Sequence, residues 1–197
     1  GIHRGGFLDT VAAGRVHDLN VQTLLNDTFT SAELCVDLCS KGSGSAKLTL
    51  KDGENVIAQA AQSISGNTAV SMAVDAPKLW SAETPYLYDL WTTVKEESGH
   101  VTEVIRQKVG FRRFELKDSI MLLNGQRIVL KGVNRHEFSS KGGRCVTEAE
   151  TLQDVITMKQ NNINAIRTCH YPDASYLYKL CDEYGLYMID ETNLETH

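Results

Sequence analysis

Short stretches in the first half of the chain alternate hydrophobic with polar or small residues. Leu34, Val36 and Leu38 alternate in this way within SAELCVDLCS, and Leu48 and Leu50 do so within AKLTLK. A period of two predicts strands that bury one face. Turn-forming residues separate such stretches, as in KGSGS, KDGEN, SGNT and EESGH. The pattern predicts about seven short strands, which together favour an antiparallel β-sandwich of immunoglobulin-like type.

The pattern changes after residue 112. The stretch RIVLKGVN (127–134) is mainly apolar, and two helix-length stretches follow it, each leading into a short strand, NAIRT (164–168) and LYMID (186–190). An alternating β-α-β-α-β order predicts parallel strands. A closed (β/α)8 barrel has eight such strands and about 250 residues, so this part of the chain would supply only the first three units of a barrel.

The expected helices carry recognisable end signals. Thr147 and Glu150 have the spacing of a capping box at the start of the first helix. Asp173 is the expected N-cap of the second helix, and Gly185 is its expected terminating glycine.

Composition and charge narrow the class of protein. The chain has 197 residues, of which 42% are hydrophobic and 23% charged, as in ordinary globular proteins. Its net charge of -5 and the lack of a basic stripe argue against a nucleic-acid partner. No apolar stretch approaches the roughly 18 residues of a membrane span, so we expect no membrane partner. The 5 scattered cysteines are typical of reduced thiols, which favours a cytoplasmic protein.

Chemically reactive side chains follow all three strands of the second region. Active sites of parallel α/β sheets lie at the carboxyl ends of the strands, so these residues predict a polar pocket that handles carboxylates. A purely structural alternative is that Arg167 pairs with Asp190 or Glu191. The residues at the three strand ends are Asn134, Arg135, His136 and Glu137; Arg167, Cys169, His170 and Tyr171; and Asp190, Glu191, Asn193, Glu195 and His197.

The stretch NAIRTCHYPDASYLYKLCDEYGLYMI (164–189) resembles the signature of glycoside hydrolase family 2, and NRHE and DETNLETH resemble its large β-galactosidase branch. VGFRRFELKDSIMLLNGQRIVLKGVNRHE resembles the join between the family's sandwich and its barrel, and GIHR resembles the end of the preceding jelly roll. The resemblance implies three parts. They are the end of a jelly-roll sugar-binding domain (1–14), an immunoglobulin-like sandwich (15–112) and the first three β/α units of a TIM barrel (113–197).

The resemblance also implies roles for individual residues. His136 and His170 would line the galactose subsite, and Arg167 would hold the catalytic nucleophile in place. Glu195 and His197 would bind an active-site Mg²⁺. Because a histidine ligand suits Mn²⁺ better than Mg²⁺, we expect Mn²⁺ to bind the complete enzyme at least as tightly. Two ligands alone would hold Mg²⁺ only weakly in this chain.

The implied activity is that of a retaining β-galactosidase, which hydrolyses terminal non-reducing β-D-galactose residues in β-galactosides such as lactose. The family's nucleophile and acid/base glutamates would lie beyond His197, so we expect the 197-residue chain to be inactive by itself. The complete enzyme would be a homo-oligomer.

Two other interpretations compete with this one. The first is a non-enzymatic β-sandwich module for binding or spacing, with a short α/β extension. The second is a different barrel hydrolase that uses His136, His170, Glu195 and His197 as metal ligands. The signature over residues 164–189 favours the glycosidase, because a binding module has no need of Arg, His and Glu at three strand ends.

Overall fold

A computed structural model describes Gly6 and residues 15–194. The jelly-roll segment expected at 1–14 lies outside the described residues, apart from Gly6, and so do Glu195 and His197. No helix within the described residues is long and apolar enough to cross a membrane.

The described chain divides into two compact units. We call residues 15–80 and 86–126 the N-terminal unit, and residues 81–85 and 127–194 the C-terminal unit.

Five antiparallel strands build the main sheet of the N-terminal unit. They follow the order β1-β2-β4-β5, and β3 pairs with β2. The backbone N–H of Val16 on β1 donates to the side chain of Glu103 on β5 at 3.0 Å, so the first and last strands of this order lie close together. The strands pack around a hydrophobic core. The strands are β1 (Arg15–Leu25), β2 (Ser31–Asp52), β3 (Asn55–Asp75), β4 (Tyr88–Glu96) and β5 (Val101–Val109).

These strands are fewer and longer than the alternation predicted. β2 pairs with β1 along its first half and with β4 along its second, and its register shifts between Cys39 and Ser43. The expected turns at KGSGS and SGNT are therefore wrong, because both lie inside strands. Gly44 serves a close approach instead, since a Cβ there would lie 2.1 Å from the carbonyl oxygen of Lys95 on β4.

A small second sheet follows in the order β6 (Phe114–Lys117), β7 (Ile120–Leu123) and β8 (Gln126–Arg127). The single strand expected over 127–134 is wrong, because the chain leaves strand geometry after Arg127 and the next strand, β9, is Gly132–His136. The side chain of Asn164 explains the break. It accepts from the backbone N–H of Lys131 at 2.7 Å and donates to the carbonyl of Val129 at 2.9 Å, in place of strand partners.

The C-terminal unit has the predicted β-α-β-α-β order with parallel strands. β10 lies between β9 and β11, and a small core of buried residues packs between the helices and the sheet. After β9 the elements are α1 (Glu148–Gln160), β10 (Ala165–Cys169), α2 (Ser175–Tyr184) and β11 (Tyr187–Ile189). The buried core residues are Val155, Ile166, Leu177, Cys181 and Leu186.

The helix ends agree with the sequence at two of three positions. Thr147 and Glu150 form the predicted capping box on α1. Gly185 ends α2 in the left-handed conformation (φ 75°), as predicted. The expected N-cap at Asp173 is wrong, because Ala174 occupies that position. The carboxylate of Asp173 instead binds Arg135, and an ion pair to a guanidinium is stronger than a bond to a helix N–H.

Candidate active site at the ends of three parallel strands

Strand register brings the predicted site residues to one edge of the C-terminal sheet. On β10, Arg167 lies opposite Asn134 of β9 and opposite Ile189 of β11, and Cys169 lies opposite His136. The side chains that follow each strand therefore meet at the carboxyl edge, as the sequence predicted.

Glu191 joins two of the predicted residues. Its Oε1 accepts from Nη2 of Arg167 at 2.8 Å, and its Oε2 lies 3.3 Å from Nδ1 of His170. This contact turns the Nδ1 edge of the imidazole toward the carboxylate. Arg167, His170 and Glu191 all remain partly exposed, at 35%, 50% and 31% of their side chains, so a ligand can reach them.

Asp190 has a different role from its neighbour Glu191. It accepts from the hydroxyl of Thr168 at 3.1 Å and from that of Tyr178 at 2.8 Å. Burial and the hydrogen bond to Asp190 raise the pKa of Tyr178 to about 12, so the phenol stays protonated as a donor. Of the two carboxylates expected to pair with Arg167, Glu191 is therefore the one that does. Asp190 instead fixes the end of β11 to β10 and α2.

His136 stands between two buried charged residues. Arg135 is 5% exposed and Glu137 is 3% exposed, whereas His136 is exposed and packs edge-to-face against Tyr171, with ring centroids 5.7 Å apart. Side chains alternate along a strand, so the two charged residues point away from His136. That alternation places His136 on the open side of the site.

Arg135 and Glu137 both hold the segment that follows His170. Nη1 of Arg135 donates to Asp173 at 2.6 Å, and Glu137 accepts from the backbone N–H of Ala174 at 3.1 Å. Arg135 also reaches α1, where it donates to Asp154 at 3.1 Å and to Thr151 at 3.2 Å.

Sequence reasoning placed Arg135 and Glu137 at the site but missed this supporting role. The period of two along β9 was the available signal. It assigns the two charged residues to the face opposite His136, and that face meets the helices.

The predicted metal ligands Glu195 and His197 lie outside the described residues. Within the described residues, one group of three could hold a cation: Cys169, His170 and Glu191 offer ligand atoms within 4.8 Å of one another. This set contains a thiol and an imidazole, which do not suit Mg²⁺.

Comparison with known proteins gives a consistent result. The family model "Glycosyl hydrolases family 2" matches residues 14–112, and the model "Glycosyl hydrolases family 2, TIM barrel domain" matches residues 114–197. A β-galactosidase of Halalkalibacterium halodurans is 48% identical over 100% of this chain and 20% of its own length. A β-galactosidase of Streptococcus thermophilus is 47% identical over 100% of this chain and 20% of its own.

A solved structure of Bifidobacterium dentium β-glucuronidase superposes with a TM-score of 0.84. It is 28% identical, and the match covers 92% of this chain and 31% of that one. The chain therefore spans about a fifth of the length of the curated relatives it matches, 20% in the first two.

Proposed function

We propose, since this chain belongs to the glycosyl hydrolases of family 2, that it is part of a β-galactosidase. It comprises the family's sandwich domain and the start of its TIM-barrel domain. The observation that carries the proposal is the 48% identity to a β-galactosidase over 100% of this chain, strand ends included. We propose the reaction to be hydrolysis of terminal non-reducing β-D-galactose from β-galactosides such as lactose, with retention of configuration.

The finer architecture is part of the same proposal. We propose that residues 1–14 end a jelly-roll domain, that 15–112 form an immunoglobulin-like sandwich, and that 113–197 supply the first three β/α units of a (β/α)8 barrel. The order β9-α1-β10-α2-β11 supports the count of units. The complete enzyme would be a cytoplasmic homo-oligomer.

The two histidines are proposed to bind the sugar. Nδ1 of His170 faces Glu191, which leaves Nε2 to bond a galactose hydroxyl. His136 is exposed, and its backbone is held on both sides by the buried bonds of Arg135 and Glu137. Protein side chains that are already held in position lose less entropy when the sugar binds. This favours binding of the oxocarbenium-like transition state.

Arg167 is proposed to support the nucleophile. A retaining glycosidase uses two carboxyl groups about 5–5.5 Å apart, one as nucleophile and one as acid/base. A guanidinium beside the nucleophile keeps that carboxylate ionised and oriented. Nη2 of Arg167 is engaged by Glu191, so Glu191 fixes the guanidinium while other N–H groups remain for a second carboxylate. The two catalytic glutamates are proposed to lie beyond His197.

Mg²⁺ is proposed to bind Glu195 and His197 in the complete enzyme. The carboxylate suits Mg²⁺, whereas the imidazole suits Mn²⁺ better. A cation beside the acid/base glutamate would adjust its pKa. This chain is proposed to hold the ion only weakly, because it offers two ligands.

Substrate choice tests the proposal. The complete polypeptide should hydrolyse a nitrophenyl β-galactoside and not the matching β-glucuronide, and NMR of the first-formed sugar should show the β-anomer. Hydrolysis of the glucuronide alone would overturn the proposal. The purified 197-residue chain should hydrolyse neither. Turnover that survives further purification of this chain would show that the catalytic groups lie within it.

A further inference from the structure

Cys169, His170 and Glu191 bring three different metal-binding groups together at the ends of β10 and β11. Their ligand atoms lie within 4.8 Å of one another, and no other group of three among the described residues does so. A thiolate, an imidazole and a carboxylate form a donor set typical of Zn²⁺.

The geometry is close to what a zinc ion needs. Tetrahedral Zn²⁺ with its usual bond lengths holds ligand atoms roughly 3.5 Å apart. Nδ1 of His170 and Oε2 of Glu191 are already 3.3 Å apart, and Sγ of Cys169 lies within 4.8 Å of both. Cys169 and His170 are consecutive in sequence, and the backbone N–H of Glu191 donates to Thr168 at 2.9 Å. Only side-chain adjustments are therefore required.

Arg167 is the obvious competitor, and its placement reduces the conflict. Its Nη2 binds Oε1 of Glu191 and so leaves Oε2 facing His170. Its Nη1 lies 3.6 Å from Sγ of Cys169. Hydrogen bonds from outer groups to metal ligands are a regular feature of metal sites. The contact with Oε1 therefore does not use the carboxylate oxygen that faces His170.

We propose that Cys169, His170 and Glu191 bind a divalent cation of the zinc type, with a fourth position open to water. This binding does not depend on the proposed function. One consequence does rest on it: because the ion and its water would lie beside the His170 ring that is also proposed to bind galactose, zinc should compete with the galactoside.

Calorimetry and cobalt spectroscopy test the binding. The reduced 197-residue chain should bind one Zn²⁺ ion, and it should bind Mg²⁺ far more weakly at the same concentration. Co²⁺ should give tetrahedral d–d bands and a thiolate-to-cobalt charge-transfer band. Cys169→Ser, His170→Gln and Glu191→Gln should each weaken Zn²⁺ binding at least tenfold. The matched control Cys145→Ser removes an exposed thiol and should leave it unchanged.

Three results would overturn the site. They are no Zn²⁺ binding to the wild-type chain, a charge-transfer band that persists in Cys169→Ser, or equal binding in denaturant, where the geometry is lost. Helical circular dichroism of each variant shows that it is folded.

Steady-state kinetics of the complete polypeptide test the consequence. Zn²⁺ should raise KM for the galactoside without lowering kcat. Inhibition that lowers kcat at unchanged KM would refute the competition, whereas no galactosidase activity in zinc-free buffer would refute the proposed function instead.

Discussion

The N-terminal unit buries a hydrophobic cluster to which all five strands contribute, from Val16 on β1 to Val109 on β5. The C-terminal unit has a far smaller cluster, in which α1 supplies only Val155 among the fully buried residues. Its interior instead contains Arg135, Glu137 and Asp173, each no more than 5% exposed. One unit is stabilised mainly by apolar burial, and the other depends on a buried polar network.

The unit with the buried polar network is also the unit that contains the candidate active site. The buried charges of the C-terminal unit lie at the carboxyl ends of its strands, directly behind His136 and the segment after His170. A buried ion pair is a weak source of net stability, because desolvation offsets most of the attraction. Such a network fixes side-chain geometry instead. The comparison predicts that the two units respond to different substitutions.

The largest effect is expected at Arg135. Arg135→Met leaves the fully buried carboxylate of Asp173 without its 2.6 Å ion pair, which should cost about 3–5 kcal/mol. Denaturant unfolding followed by helical circular dichroism measures it, since both helices of the described chain belong to the C-terminal unit. The control Arg106→Met in the N-terminal unit breaks a more exposed pair with Asp89 and, followed by tryptophan fluorescence, should cost at most about 1 kcal/mol. If both variants lost the same free energy of unfolding, the proposed difference between the two units would be wrong.

The next largest effect is expected in the apolar core. Leu48 is 0% exposed on β2, so Leu48→Ala should cost about 2–5 kcal/mol. Tryptophan fluorescence reports it selectively, because Trp80 and Trp91 both lie in the N-terminal unit. Leu116→Ala, at a position 69% exposed, is the control and should change stability by less than about 0.5 kcal/mol. If Leu48→Ala lowered the helical transition as much as the fluorescence transition, the units would not unfold separately.

Sequence patterns succeeded where local chemistry decides the structure. Alternation predicted which stretches of the N-terminal unit are strand, although not where the strands end. The spacing of Thr147 and Glu150 predicted a helix start, and Gly185 predicted a helix end. The β-α-β-α-β order also predicted correctly that the three strand ends lie together, because parallel strands end at the same edge of a sheet.

The predictions were wrong where a residue far along the chain determines the local structure or the hydrogen-bond partner. The break after Arg127 depends on Asn164, which is far along the chain. The role of Asp173 depends on Arg135, and the choice of Glu191 over Asp190 for Arg167 depends on Thr168 and Tyr178. Periodicity reports which face a residue occupies, but it does not report which of two adjacent carboxylates a guanidinium will bind.

A smaller effect is expected at the start of α1. Thr147→Ala removes the hydroxyl that accepts from the backbone N–H of Glu150 at 3.2 Å, and should cost about 1 kcal/mol. The matched control is Thr157→Ala in the same helix. That threonine donates back to the carbonyl of Gln153 and accepts from its exposed side-chain amide. Neither bond caps the helix, and alanine favours the helix, so stability should stay nearly equal. A greater loss at Thr157 than at Thr147 would show that the capping box contributes nothing to the C-terminal unit.

The smallest effect is a pH dependence at Glu150. A hydrogen bond from Ser139, with further bonds from the backbone and side chain of Thr147, lowers its pKa from 4.5 to about 2. A lowered folded-state pKa stabilises the fold above the unfolded-state value, and this contribution is lost as pH falls from 4.5 through about 2. The difference in unfolding midpoint between wild type and Glu150→Gln should therefore be constant above pH 4.5 and shrink toward pH 2.

Ser139→Ala should flatten this dependence, because Ser139 makes the largest contribution to the lowered pKa. A midpoint difference that did not vary with pH would mean that the Glu150 carboxylate is not held by these donors. The bonds from Arg135 on β9 to Asp154 and Thr151 would then hold α1 without a contribution from Ser139 in the loop after β9, and the C-terminal unit would depend still more on its buried charges.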